Sequence, residues 1–481
     1  MPSKKNDDMT YDRNLEQRGY WRRMRRFVAE SLRDNETDFT RGPIGRALGL
    51  LAIPMMLEMS MEAIFAVVDI AFVSRLGTDA VAAVGITEAM ITVLYAVAIG
   101  LGMGVTAMVA RRIGAEQPDE AARVTGQAIW LGILVSAVIA IVGIGYGTDL
   151  LRLMGASDAV IAVGSGYTTV LMGGAASILF LFLLNAAFRG AGDAPVALRA
   201  LALANALNIA LDPCLIFGAG PFPELGVTGA AIATTIGRGV GVLYLAWYLF
   251  SGRGRLRFAV SHLAIVPQLV RRMIRISLGG IGQFLIATAS WIVIMRIVAL
   301  YGSAPVAAYT IALRLLEFAL LPAWGLGNAA ATLVGQNLGA LKPDRAEQSV
   351  WTAARYNGAF MTVLGILMLV LAPQIVTLFS SDPAILRYGS NCLRILGIGY
   401  PMYAVGMIII QALNGAGDTR TPSLLNFLCF WIIQIPLSYW LAATVRLGPN
   451  GVFWSIVLSE SLLTLLAVAL FRRGAWRTQR V

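Results

Sequence analysis

Three carboxylates interrupt one long apolar run: Glu58, Glu62 and Asp69 in ALGLLAIPMMLEMSMEAIFAVVDIAFV, residues 47–73. At about 100° per residue, the seven-residue step from Glu62 to Asp69 returns nearly to the same direction, and the four-residue step from Glu58 overshoots by about 40°. All three acids therefore share one stripe of one helix. A further acid, Asp212, follows Asn205 and Asn208 in LANALNIALDP. Asn208 and Asp212 stand four apart and share a face, and Pro213 is expected to open the helix beside them. Tyr167 and Asn185 lie in a third apolar run, and Thr228, Thr234 and Thr235 in a fourth. Carboxylates among neutral amides and hydroxyls can do two things in such surroundings. Close like charges share a proton, or the oxygens hold a hard monovalent cation. Either serves a carrier that couples an ion to another solute. The plainer alternatives are pairing of Asp69 with Arg75, a cap or loop role for Asp212, and hydrogen-bonded packing for Glu62. Glu58 is open between function and packing.

These groups need a hydrophobic frame. The chain has 481 residues, 57% apolar and 14% charged, with a mean hydropathy of +0.71. A soluble domain carries about 25% charged residues. Twelve apolar runs long enough to cross a bilayer are expected at 47–73, 81–110, 123–147, 159–187, 193–218, 226–250, 273–300, 305–335, 346–372, 385–413, 420–445 and 450–471. An ionised acid facing lipid is costly, so the acid stripe should face other helices or a water-filled cavity. The fold class is an all-α integral membrane protein of twelve spans. Its parts are a basic tail 1–46, a first lobe 47–250, a connector 251–272, a second lobe 273–471 and a tail 472–481. No cleavable signal peptide is expected, because the first 40 or so residues are polar. Within them, Tyr20 to Asp34 reads either as a basic interfacial helix or as an unstructured tail.

The net charge of +11 does not indicate nucleic-acid binding, because the basic residues alternate with the spans. Arg75, Arg152, Arg387 and Arg446 stand alone in odd connections. Even connections carry Arg111, Arg112 and Arg123, then Arg189 and Arg199, then Arg253, Arg255, Arg257, Arg271, Arg272 and Arg275. That asymmetry places both termini in the cytoplasm, as an even number of spans requires. Cys214, Cys392 and Cys429 have no metal or redox spacing, and the lone His262 lies in a loop. Histidine-based and metal-based chemistry in the membrane is therefore not expected.

The sequence repeats itself. LGTDAVAA from Leu76 returns as YGSAPVAA from Tyr301, IGAEQPD from Ile113 as LGALKPD from Leu338, and RGAGD from Arg189 as NGAGD from Asn414, all at an offset of 225. LGVTG from Leu225 returns as LGPNG from Leu447, at 222. Six spans per copy restore orientation, so the lobes are parallel six-helix repeats about a central cavity. Asp193 and Asp418 of the Gly-Ala-Gly-Asp turns are expected to cap the next helix. The copies differ in charge. Ile294 stands where the repeat would place a partner for Asp69, and the second copy offers Gln283, Arg296, an expected Arg314–Glu317 ion pair, and Glu460. Methionines and aromatics such as Phe65 suit an adaptable cavity or ordinary core packing.

VVDIAFVSRLGTDAVAAVGI (67–86), FRGAGDAP (188–195), LNIALDP (207–213) and NGAGDTRTP (414–422) together resemble the signature segments of the multidrug and toxic compound extrusion (MATE) family. The resemblance covers roughly residues 45–472. It implies an export carrier of two lobes around a V-shaped cavity, driven by H⁺ or Na⁺ and needing no cofactor. It places the coupling acids on Asp69 and Asp212, their amides on Asn185 and Asn208, a tyrosine on Tyr167 and a threonine on Thr234. A sodium ion would sit among Asp69, Asp212, Asn208 and Thr234. Some relatives use acids in spans seven and ten, where this chain offers Gln283 and Tyr403, so first-lobe coupling is expected. Glu62, Phe65, Asn205, Gln283 and Tyr403 are expected to line or support the cavity. The expected partners are a small organic substrate and the bilayer, for a monomer in a bacterial-type inner membrane. The alternatives are a lipid-linked precursor flippase, which would need a cationic cavity, and an intramembrane enzyme, which would need a nucleophile and base or a metal site.

Overall fold

The computed structural model describes residues 22–33 and 37–479. A short helix, α1, covers 22–31. Long helices follow: α2 (Ile44–Val73), α3 (Thr78–Gly114), α4 (Pro118–Leu153), α5 (Asp158–Gly173), α6 (Ala175–Ala191), α7 (Ala194–Phe217) and α8 (Val227–Phe250). After the connector come α9 (Pro267–Ala299), α10 (Ser303–Gly339), α11 (Pro343–Thr377), α12 (Pro383–Gly415), α13 (Arg420–Thr444) and α14 (Pro449–Arg472). Eleven of these are each long and apolar enough to cross a bilayer, and α5 with α6 makes a twelfth span bent by 41°. The expected span 159–187 is thus two helices meeting at Gly174. A Cβ on Gly174 would lie 2.6 Å from Thr235 Cγ2, so the close approach of α8 requires glycine at the bend. Of the segment Tyr20 to Asp34, Tyr20, Trp21 and Asp34 lie outside the described residues. The helical part has Arg22, Arg23, Arg25 and Arg26 exposed, while Phe27 packs on Gly49 of α2.

The duplication is written into the backbone. Gly77 and Gly302 have φ of 103° and 102°, Gly192 and Gly417 91° and 88°, and the non-glycine residues Glu116 and Leu341 58° and 57°, each pair 225 apart. Gly226 and Gly448, with φ 55° and 57°, keep the slipped offset of 222. Left-handed conformations are costly away from glycine, so their recurrence at matched positions marks equivalent turns. Contacts between the halves recur in the same way. α2 packs on α10 while α9, the repeat of α2, packs on α3, the repeat of α10. A Cβ on Gly114 would lie 1.9 Å from the Gln336 carbonyl oxygen, and one on Gly339 would lie 2.1 Å from that of Arg111. Both pairs are matched by the 225 offset, as a pseudo-two-fold axis along the spans requires.

This seam lies at the end that carries both chain termini. Thr332 Oγ1 donates to the Arg189 carbonyl at 3.2 Å, Gln336 Nε2 to that of Gly190 at 3.0 Å, and Lys342 Nζ to that of Thr40 at 2.9 Å. The first part of α2 shares a core there with α10–α12 and the end of α14, and the first part of α9 shares one with helices of the first half, through Leu269, Met273 and Ile276. Farther along the spans, Glu88 of α3 and Arg314 and Glu317 of α10 are exposed, and Glu88 feels the charge of Arg314 across the divide. Charges exposed in mid-span belong to a water-filled cleft between the halves. The expected Arg314–Glu317 ion pair is not formed: no contact within 4.0 Å joins them among the described residues. Gly114→Val is expected to wedge the seam apart. In a background without the native cysteines, a Gln336→Cys probe would then be labelled several-fold faster by a maleimide added from the terminal side; unchanged labelling would show that the helices absorb the branch.

Two local expectations change. Pro213 does not end its helix, because α7 runs on to Phe217 and the ring removes only one backbone hydrogen bond. Asp193 caps no helix. Its Oδ2 accepts from the Arg255 backbone N–H at 2.9 Å and ties the connector to the turn. Asp418 does act as expected, accepting from the Thr421 N–H at 3.1 Å and the Thr421 hydroxyl at 2.7 Å.

Candidate functional site

The acid stripe of α2 runs between α6, α7 and α8, and each acid meets a different environment. Glu58, 2% exposed, accepts from Arg189 Nη1 at 2.6 Å and from Asn185 Nδ2 at 3.2 Å, both on α6. Glu62 pairs with Arg238 Nη2 of α8 at 3.2 Å. Arg238 is itself buried, donates to the Tyr95 hydroxyl at 3.0 Å, and lies 5.5 Å from the centre of the Phe65 ring. A guanidinium sealed in hydrocarbon needs such partners. Two of the three acids are therefore neutralised by arginine.

Asp69 is not. It is buried, and its Oδ1 has no hydrogen-bond partner among the described residues. Arg75, its alternative partner, is exposed and stacks 5.9 Å over Phe72 instead. Asp69 lies within electrostatic range of Arg238, Glu88 and Tyr167, and also of Asp212 on α7. Asp212 is fully buried and not a loop residue. With the Asn208 amide turned to satisfy its neighbours, its nitrogen donates to Asp212 Oδ2 at 3.0 Å and its oxygen accepts from Thr234 Oγ1 at 3.1 Å and Thr234 N at 3.0 Å. Asp212 Oδ1 is left without a partner. The site thus holds two carboxylates, each with one orphaned buried oxygen, beside an amide and a hydroxyl. Unpaired buried oxygens are costly. A shared proton or a small hard cation would satisfy them, and this oxygen-only donor set fits either.

A family model described as MatE matches this chain twice, over residues 54–214 and 281–440, once in each half. The chain belongs to the MatE family. It is 27% identical over 91% of its length to the probable multidrug resistance protein YoeA of Bacillus subtilis, covering 95% of that protein. It is 28% identical over 82% of its length to an FAD transporter of Shewanella oneidensis, covering 88% of it. A solved structure described as the outward-facing conformation of a multidrug resistance MATE family transporter superposes with a TM-score of 0.86 at 26% identity, over 93% of this chain and all of that one. The protein is therefore a multi-span membrane transporter of the MATE multidrug efflux family. Its relatives are transporters.

The structure separates the MATE site residues inferred from sequence into groups. Asp69, Asp212, Asn208, Thr234 and Tyr167 belong to one neighbourhood. Asn185 sits apart from it, on the Glu58–Arg189 pair. Glu62 and Phe65 hold Arg238 from either side. Asn205 Nδ2 donates to the Met61 carbonyl at 3.1 Å, clipping α7 to α2. Gln283 is buried and exchanges hydrogen bonds with Asn414 at 2.9 and 3.2 Å. Tyr403 is half-buried in the second half, near Glu460. Gln283→Leu should therefore lower stability by about 1–3 kcal/mol, the cost of an orphaned buried amide. Its effect belongs in thermal unfolding and not in ion dependence; a changed ion dependence would place Gln283 in the transport site.

Three contributors were missed by the sequence reading. Arg238 interrupts VTGAAIATTIGRGVGVLYLAWYLF, and a lone arginine in such a run is a signal in itself. Arg189, a connection charge by its place in the sequence, lies in the last turn of α6. Glu88 offered the same signal as Arg238, in the second span.

Proposed function

We propose that this transporter is a secondary active antiporter that exports amphipathic, cationic organic compounds in exchange for H⁺ or Na⁺. The observation that carries the proposal is the asymmetry of the α2 stripe. Glu58, Asp69 and Asp212 each keep an orphaned buried oxygen, but Glu58 and Glu62 form ion pairs with arginine, whereas Asp69 and Asp212 form none among the described residues. With the seam closed at the terminal end, the two acids are reached from the cleft on the other side, which the positive-inside bias assigns to the exterior. A proton or sodium ion entering there would satisfy Asp69 and Asp212. Neutralising them would alter the packing of α2 against α7, to which Asn205 and Met61 clip it. Substrate release would follow, and the lobes would rock about the pseudo-two-fold axis to open the terminal end. The protein would act as a monomer in a bacterial-type inner membrane, with both termini cytoplasmic.

Glu88, Glu317, Asp69 and Glu62 near the cleft outnumber Arg314 there and favour a cation, and Arg238 does not oppose one because Glu62 holds it. A lipid-linked precursor flippase would need a cationic cavity, which these acids disfavour. The test is efflux from proteoliposomes with a pH gradient and a sodium gradient imposed separately, using a cationic dye and, because one relative is an FAD transporter, a flavin nucleotide. One gradient should drive dye efflux. Movement of flavin alone would reverse the substrate assignment, and movement of neither under either gradient would reject the antiport mechanism.

A further inference from the structure

A groove of about 640 Å³ lies between α9 and α13, on the terminal side of the second half and away from the acid stripe. Arg271 and Arg275 of α9 and Arg420 at the start of α13 line it, all three exposed. None of the three guanidinium groups has an ion-pair or hydrogen-bond partner among the described residues. The floor of the groove is held tightly: Ser423 Oγ donates to the Gly279 carbonyl at 2.8 Å, and Thr419 Oγ1 to that of Ile276 at 2.7 Å.

Beyond the arginines, both walls turn apolar. Leu278 and Leu424 are 61% and 69% exposed. At steps of seven from Arg271, Leu285 and Ile292 continue the α9 face; Leu428 and Ile432 continue that of α13, and all four are exposed. Seven residues are nearly two helical turns and the four-residue steps of α13 about one, so each face runs along the span. The groove is therefore cationic at one end and greasy along its length. Exposed leucine in a spanning helix contacts acyl chains, and a basic pocket between spans takes an anionic head group.

We propose that this groove binds one anionic phospholipid, its phosphodiester between Arg271, Arg275 and Arg420 and a chain along Leu278 and Leu424. A free phosphate would leave the leucine walls uncovered. A zwitterionic lipid would bring its own cation against three unpaired arginines.

The test is native mass spectrometry of the delipidated full chain, titrated with phosphatidylglycerol, phosphatidylcholine or inorganic phosphate. One phosphatidylglycerol should be retained at least ten-fold more tightly than phosphatidylcholine, and millimolar phosphate should not displace it. The triple variant Arg271→Gln/Arg275→Gln/Arg420→Gln should lose that preference, whereas the matching lysine variant and a control Arg112→Gln/Arg123→Gln/Arg253→Gln should keep it. Equal retention of the two lipids, displacement by phosphate, or an unchanged preference in the glutamine variant would each overturn the proposal. If the glutamine variant does not fold, the lipid and phosphate comparisons on the unmodified chain still decide.

Discussion

Asp69→Asn is expected to reduce gradient-driven efflux in proteoliposomes to the rate of protein-free vesicles, with the fold intact. Asparagine has the shape of aspartate, but it neither takes up a proton in this range nor offers a charge to a cation. The substitution leaves no arginine stranded, because Arg238 keeps Glu62 and the Tyr95 hydroxyl. Thermal unfolding should thus be unchanged or slightly raised, since an unpartnered buried carboxylate is replaced by a neutral amide. Asp212→Asn should behave alike, with Asn208 free to turn back and bond the new amide. Full ion-driven efflux by Asp69→Asn would sink the assignment and move attention to Glu460, a half-buried carboxylate of α14 in the second half.

The second large effect concerns stability. Glu58 and Arg189 form a buried pair, with side chains 2% and 13% exposed. Removing one partner of such a pair strands the other charge, at a cost of about 3–5 kcal/mol. Glu58→Leu alone and Arg189→Met alone should each destabilise the protein by that amount in an equilibrium unfolding assay in detergent or bilayer. Together they should cost far less than the sum, because an apolar pair of similar volume often replaces a buried ion pair at little loss. Additive costs would show that the two side chains do not depend on each other. The Arg189 carbonyl also accepts from Thr332, so this pair stands directly behind the closed seam. Arg189→Met leaves that backbone bond in place, which separates loss of charge from loss of the seam.

Asp69 and Glu58 share α2, with Asp212 facing the one from α7 and Arg189 the other from α6, yet the two sites are predicted to fail differently, one in transport and the other in stability. The physical distinction is neutralisation. A carboxylate held by guanidinium cannot easily change its charge, and one with no ion-pair partner can.

Much of this was legible in the sequence because hydrocarbon leaves the chain few options. Backbone polar groups there must be satisfied within helices, so apolar length alone placed the spans to within a few residues. The 225-residue offset gave the parallel halves, and even the slip to 222 reappears in the φ angles of Gly226 and Gly448. Helical periodicity put Glu58, Glu62 and Asp69 on one stripe, and a four-residue step put Asn208 beside Asp212. What the sequence could not decide was which acid was already paired. Arg189 and Arg238 are 131 and 176 residues from the acids they hold. Such pairing is set by how α6 and α8 dock on α2, not by any local spacing. That docking took Asn185 away from Asp69, while the meeting of α9 with α12 tied Gln283 to Asn414, and the connector drew Asp193 to Arg255 instead of a helix cap. Periodicity fixes directions around one helix, and only tertiary packing fixes what stands opposite.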